Sequence, residues 1–180
     1  KKELEEIIER TPELKEMKKS LLIDNTPEGL RIQLLDKEGL PMFPSGGAEM
    51  FDHTKRLLAL VSKVIVKMPQ QISISGHTDS VPYVSKTGYS NWELSADRAN
   101  AARRELVHAE VPFERVSKVV GKAATEPFLP EDPKNARNRR LSIIMLRGTG
   151  RDKPSPSAKE ESLPGLGAIR RKQLEDSKTQ

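Results

Sequence analysis

The sequence predicts an α/β fold, an α+β sandwich in which helices cover one face of a mixed β-sheet. Three observations predict it. Apolar residues change period along the chain in the order strand, strand, helix, strand, helix, strand, strand. Hydrophobic residues make up 35% of 180, enough for one core of ordinary size and a small appendage. No apolar run approaches the roughly 18 to 20 residues needed to span a bilayer.

The opening residues repeat Leu4, Ile7, Ile8, then Leu14, Met17 and Leu21 at helical spacing, with Thr11-Pro12 suited to an N-cap and first helical position. Residues 1–20 are therefore expected to form a helical extension. Two alternating runs in "LLIDNTPEGLRIQLLD" flank Pro27-Glu28-Gly29, a turn signal, and predict a hairpin. After the loop "GLPMFPSGGAEM", Ala48 to Val66 carries Phe51, Leu57, Leu58, Val61, Val64 and Ile65 on one helical face, stopped by Pro69. Ile72 and Ile74 alternate with serines in a short strand ending at Gly76. A polar loop from Ser80 to Gly88 follows. Ser90 with Glu93 matches a capping box, and Leu94, Ala99, Ala102 and Leu106 supply the inner face of a helix to about His108. Val116 to Gly121 and Leu141 to Leu146 read as strands, joined by the polar loop "KAATEPFLPEDPKNARN". Beyond Arg147 periodicity fades into Gly, Pro, Ser and mixed charge, which predicts a disordered tail over 148–180.

Charge and composition narrow the chemistry. The formal net charge is +5, and the tail from Gly148 holds seven Lys/Arg against five Asp/Glu, so the excess is not a basic tail. Between Arg98 and Arg140 ten basic residues face six acidic ones, which makes that segment the place to look for a carboxylate or phosphate partner. The absence of cysteine excludes disulfides, thiol catalysis and Cys-ligated zinc. The start "KKELEEIIER" has no initiator Met and no signal-peptide core, so an excised soluble fragment is expected. No Walker A, dinucleotide fingerprint or G-x-S-x-G elbow is present, which favours binding over turnover.

Within "GHTD", His77 and Asp79 lie two apart on an extended backbone and share a face. A metal would need more ligands, yet His53 and His108 fall in other helices, so no metal and no cofactor are expected; a strand-end turn capped by Asp79 is the plainer alternative. A helix starting near Ser90 puts Arg98 about two turns in, beside the strand that ends near Asp79. If both side chains face one crevice, Asp79 suits an ammonium and the planar fork of Arg98 a carboxylate, each worth roughly 1.5 to 3 kcal/mol. The competing arrangements are a direct Asp79–Arg98 ion pair and an Arg98 on a solvated helix face. Arg137, Arg139 and Arg140 offer either snorkelling surface cations or extra contacts to an anionic polymer. With aromatics at 4% and not interleaved with the basic residues, nucleic acid is not the expected partner.

"SGHTD", "NWELSADRA" from Asn91 to Ala99, and "NRR" at Asn138 to Arg140 resemble the OmpA-like peptidoglycan-binding domain family. "GLRIQLLDKEGLPMFPSG", "GYSNWELSADRANAARREL" and "VVGKAAT" are similar, more narrowly, to the periplasmic part of the MotB family of flagellar motor stator proteins. The resemblance covers 21–147 and implies a non-catalytic peptidoglycan-binding domain that grips the diaminopimelate of the stem peptide. Carried over residue by residue, it gives the amine to Asp79 and the carboxylate to Arg98. Thr78, Asn91 and Leu94 shape the pocket, Phe43 lines it and Arg139 reinforces it. The loop "MFPSG" lacks an acidic residue that several relatives carry, and the loop after Asp79 is longer than in outer-membrane lipoprotein relatives. The resemblance also implies a homodimer and a MotA-type stator subunit, joined through a membrane segment outside this chain, with this part periplasmic in a single-pass inner-membrane protein. Residues 1–20 would then connect that segment to the domain and rearrange when the stator docks. Two other readings are an envelope-integrity or secretion-system tether of the same fold and a hydrolase using His77 and Asp79.

Overall fold

The computed structural model describes residues 20–148, together with 6, 9, 10 and 12. The expected tail, and most of the expected helical extension, lie outside the described residues; Glu6, Glu9, Arg10 and Pro12 are helical. The ordered elements are β1 (Leu21–Asn25), β2 (Gly29–Leu35), α1 (Asp52–Lys67), β3 (Ile72–His77), α2 (Asn91–His108), β4 (Val116–Gly121) and β5 (Arg140–Leu146). They form one five-stranded sheet in the order β1-β2-β5-β3-β4. Only β3 and β4 run parallel, with α2 as their crossover; the other pairs are antiparallel.

Register explains the two faces. Ile32, Ile143 and Ile74 lie side by side across β2, β5 and β3, as do Leu30, Met145 and Ile72. Strand side chains alternate, so these rows share one face. That face packs with Leu57, Leu58, Val61, Val64 and Ile65 of α1 and with Ala99, Ala102 and Leu106 of α2 in a single core. Both helices therefore cover the same side of the sheet. An intervening row, Gln33, Ser142 and Ser75, is polar: Gln33 accepts from Arg140 Nε at 3.0 Å and from Ser142 Oγ at 3.3 Å.

Two close approaches fix where α2 sits. A Cβ on Gly76 would lie 2.1 Å from the Ser95 carbonyl oxygen, and one on Gly121 2.7 Å from the Ala96 nitrogen. Glycine on β3 and β4 thus lets the helix backbone rest almost directly on the strands. The capping box forms as the sequence predicts, with Ser90 N–H donating to Glu93 Oε2 at 2.7 Å and Trp92 N–H to Ser90 Oγ at 3.3 Å.

The first long helix begins later than its apolar pattern suggests. Phe51 N–H is held by the Met42 carbonyl at 3.1 Å, which keeps Phe51 extended just ahead of Asp52. Its ring is 40% exposed and is not part of the helix's buried face. At the other end, buried Arg115 donates to the carbonyls of Ile65 and Gln70, placing a cation on the exposed dipole end of α1. The loop after β4 is tied by Asn138, fully buried, which accepts from Leu129 N–H and donates to the Asp132 carbonyl, both at 2.8 Å.

Candidate functional site

β3 delivers Thr78 and Asp79 to the edge of the loop that follows β4. Thr78 N–H donates to the Ala123 carbonyl and Ser80 N–H to the Pro133 carbonyl, each at 2.9 Å, so the residues between them have little freedom. Asp79 is buried. Its Oδ1 accepts from Val81 N–H at 3.1 Å, the turn-capping bond expected of an aspartate at a strand end. Its Oδ2 accepts from Arg139 Nη1 at 2.6 Å.

Arg98 approaches from the second turn of α2 and is 5% exposed. Nε donates to the Gly47 carbonyl at 2.9 Å and Nη2 to the Pro44 carbonyl at 3.1 Å, while the guanidinium carbon stands 4.9 Å over the Phe43 ring. One edge of the fork therefore holds the loop over residues 43–47, and the Nη1/Nη2 end is left to face other groups. Asp79 and Arg98 do not hydrogen-bond to each other. Both line one cavity of about 590 Å³ with Thr78, Asn91, Leu94, Phe43 and Arg139. All seven residues singled out from the sequence thus meet at one place. Leu94 is buried there, and Asn91 Nδ2 donates to the Val81 carbonyl at 2.9 Å.

Asp36, which the sequence does not mark, supports this arrangement from the end of β2. Its Oδ2 accepts from Arg139 Nε at 2.8 Å and its Oδ1 from Met42 N–H at 2.7 Å, and its own N–H donates to the Arg139 carbonyl at 3.0 Å. Arg139 so spans two carboxylates, Asp36 and Asp79. Burial raises the Asp36 pKa above the usual carboxylate value, against the opposing pull of Arg139 and the Met42 N–H. Burial also lowers the pKa of Arg98. Arg139, although burial opposes it, is raised by the hydrogen bonds to Asp36 and Asp79.

Two possibilities that the sequence left open are narrowed. Arg137, Arg139 and Arg140 do not form a shared patch: Arg139 enters the cavity, Arg137 stacks 4.9 Å over Phe128, and buried Arg140 points into the polar face of the sheet beside Gln33. Backbone alternation on entering β5 sends Arg139 and Arg140 to opposite sides, while Arg137 belongs to the 3-10 turn Ala136–Asn138 before the strand. His77 and Asp79 likewise do not share a site. His77 is buried outside the cavity lining, and burial, then Arg140, Lys122 and Arg31, push its pKa down to about 3. The strand ends at His77, and the next N–H, that of Thr78, donates to the Ala123 carbonyl beyond β4. Among the described residues no cluster of three or more His, Asp or Glu gathers that could hold a metal.

The profile of the OmpA family matches residues 42–140, more than half of the sequence. The chain belongs to the OmpA family. It is 45% identical over 145 residues to Motility protein B of Escherichia coli K12, covering 80% of this chain and 47% of that protein. Motility protein B of Bacillus subtilis is 30% identical over 135 residues, covering 73% of this chain and 51% of that protein. The chain spans about half the length of the curated relatives it matches. The periplasmic domain of Helicobacter pylori MotB superposes with a TM-score of 0.61 at 22% identity, over 70% of this chain and 78% of that one. The cell wall anchor of the T6SS from Pseudomonas aeruginosa gives 0.60 at 24% identity, over 72% and 89% respectively, so the fold is shared with both. Within this OmpA-family chain the match starts at Met42. Asp36 therefore stands outside the matched segment, although it anchors Arg139 inside it.

Proposed function

We propose that this chain is the non-catalytic, cell-wall-anchoring portion of a flagellar stator subunit, and that its cavity grips peptidoglycan by the zwitterionic end of a diaminopimelate side chain. The observation that carries the reading is that Asp79 and Arg98 line one cavity without neutralising each other. An ammonium settles at Asp79, whose carboxylate already holds Arg139 on one oxygen. A carboxylate settles on the free Nη1/Nη2 end of Arg98, with Arg139 beside it as a second cation. Leu94 and Phe43 supply the apolar walls, and Thr78 and Asn91 the polar ones. No described helix is long and apolar enough to cross a membrane. The similarity to the periplasmic domain of Helicobacter pylori MotB supports a periplasmic setting, and a homodimer with a MotA-type partner reached through a membrane segment belongs to the same proposal.

The secretion-system tether remains the second reading, favoured by the fold shared with the T6SS anchor, while the higher identity to Motility protein B favours the stator. The hydrolase reading loses its pair of residues, because His77 lies outside the cavity. The test is co-sedimentation with purified sacculi. Asp79→Asn and Arg98→Ala should each weaken binding by at least about tenfold, the effect of losing one charge-assisted bond of roughly 1.5 kcal/mol or more. Circular dichroism should show both variants folded. Binding retained by both would reject the assignment.

A further inference from the structure

Asp36 is buried and stands outside the cavity lining, yet both of its oxygens serve groups that shape the cavity. Oδ1 accepts from Met42 N–H at 2.7 Å, beside Phe43 in the wall, and Oδ2 accepts from Arg139 Nε at 2.8 Å. Arg139 is thereby divided between two carboxylates, with Nε on Asp36 and Nη1 on Asp79. Arg98 acts on Asp36 only at longer range, because its own hydrogen bonds go to the carbonyls of Pro44 and Gly47.

The charges of Asp36, Asp79, Arg98 and Arg139 sum to zero. Without the charge on Asp36 one positive charge is in surplus, and Arg139 has Asp79 as its sole ion-pair partner. An incoming ammonium would then have to take that carboxylate from a partly buried guanidinium, which is costly to leave unpaired. A lone carboxylate would gain instead, since it would meet two cations with a single competing anion.

We infer that Asp36 is a specificity-determining residue that does not touch the ligand: by holding Arg139 from behind, it makes the cavity select a group with both an ammonium and a carboxylate over one with a carboxylate alone. This rests on the proposed reading of the cavity as a zwitterion site, and adds the residue that sets the charge class of the ligand. Asp36 acts through Arg139, so it is a positioning residue.

Two probes separate the charge classes: the diaminopimelate-terminated tripeptide, and the same tripeptide acetylated on the free amine of its diaminopimelate, which keeps the carboxylate. Titration calorimetry should give the wild-type chain a preference of about tenfold for the free amine. Asp36→Asn should bring the two affinities to within about twofold of each other. The double variant Asp36→Asn with Arg139→Gln removes one charge of each sign, and the preference should return to about tenfold. A residue that merely propped the loop would leave the double variant no better than the single one. Circular dichroism should show the variants folded. Should Asp36→Asn fail to fold, Arg139→Gln alone decides: loss of the cation should raise the preference above that of the wild type, and an unchanged or lower preference would overturn the inference. A preference that survives Asp36→Asn, or that stays lost in the double variant, would overturn the role of Asp36 and leave the zwitterion site standing. A wild-type chain that binds neither probe, or both alike, would overturn the zwitterion reading and the inference with it.

Discussion

Acid should loosen the strand that carries Thr78 and Asp79, and His77 sets the size of the effect. Its ring is 4% exposed, its Nδ1 has no hydrogen-bond partner, and Arg140, Lys122 and Arg31 surround it with positive charge. Burial first, then these cations, lower its pKa from 6.5 to about 3. The unfolded chain takes up a proton near the ordinary value, and the folded one resists until much lower pH. The stabilising contribution is therefore complete above 6.5 and is lost as pH falls toward about 3. At about 1.36 kcal/mol per pH unit, stability should drop by roughly 2 kcal/mol between pH 7.5 and pH 5. For a domain of this size that is a decrease of roughly 6 to 12 °C in melting temperature. Thermal unfolding followed by circular dichroism across that range, on wild type and His77→Gln, isolates the histidine, since all other groups titrate in both. The variant should be less sensitive by that amount. Parallel curves for the two proteins would refute the claim that burial keeps this imidazole neutral.

Gly76→Ala would push a methyl group to 2.1 Å from the Ser95 carbonyl oxygen, and should destabilise the fold by more than about 3 kcal/mol in urea unfolding, with α2 forced off the sheet. Arg98→Lys keeps the charge but gives up the paired bonds to Gly47 and Pro44. Hydrogen exchange should quicken over 43–47, and sacculus binding should fall about tenfold despite the retained cation. Asp36→Asn cannot accept from both Met42 N–H and Arg139 Nε. Because burial already disfavours the Asp36 charge, the loss should be that of one hydrogen bond, about 1 kcal/mol in urea midpoint analysis.

What the sequence discloses here is local, and what it conceals is long-range. Ser90 and Glu93 form their capping box because the interaction spans a single helical turn, and β4 ends at the glycine that α2 presses against. The start of α1 is obscured because it depends on Met42 holding Phe51, a contact between loop ends that no periodicity encodes. Strand-to-helix order suffices to place Asp79 near Arg98. It does not orient Arg98, whose guanidinium is turned by carbonyls 51 and 54 positions away. Asp36 is less visible still, since its partner Arg139 lies 103 positions along the chain. The arginine cluster misleads for the opposite reason: adjacency in sequence suggests a common patch, but strand alternation parts Arg139 from Arg140, and Arg137 sits in the 3-10 turn before the strand.

The charges around the cavity bear on which ligand class it suits. Asp36, Arg139 and Asp79 form a continuous chain of ion pairs, and Arg98 is held by neutral carbonyls, stabilised at longer range by Asp36 and Asp79. Two carboxylates and two guanidinium groups leave the site close to neutral. A simple anion would have to compete with Asp36 and Asp79 for the same cations, and a simple cation with Arg139 for Asp79. A group carrying both charges avoids that conflict, because its ammonium and its carboxylate each extend the alternating series rather than break it. Arg139 matters to this balance in a particular way. Tied to Asp36 by Nε, it remains compensated when an ammonium draws on Asp79, so the ligand need not leave a buried charge unpaired. On the proposed reading, Asp36 is what allows Asp79 to be both structurally satisfied by Arg139 and available to a ligand.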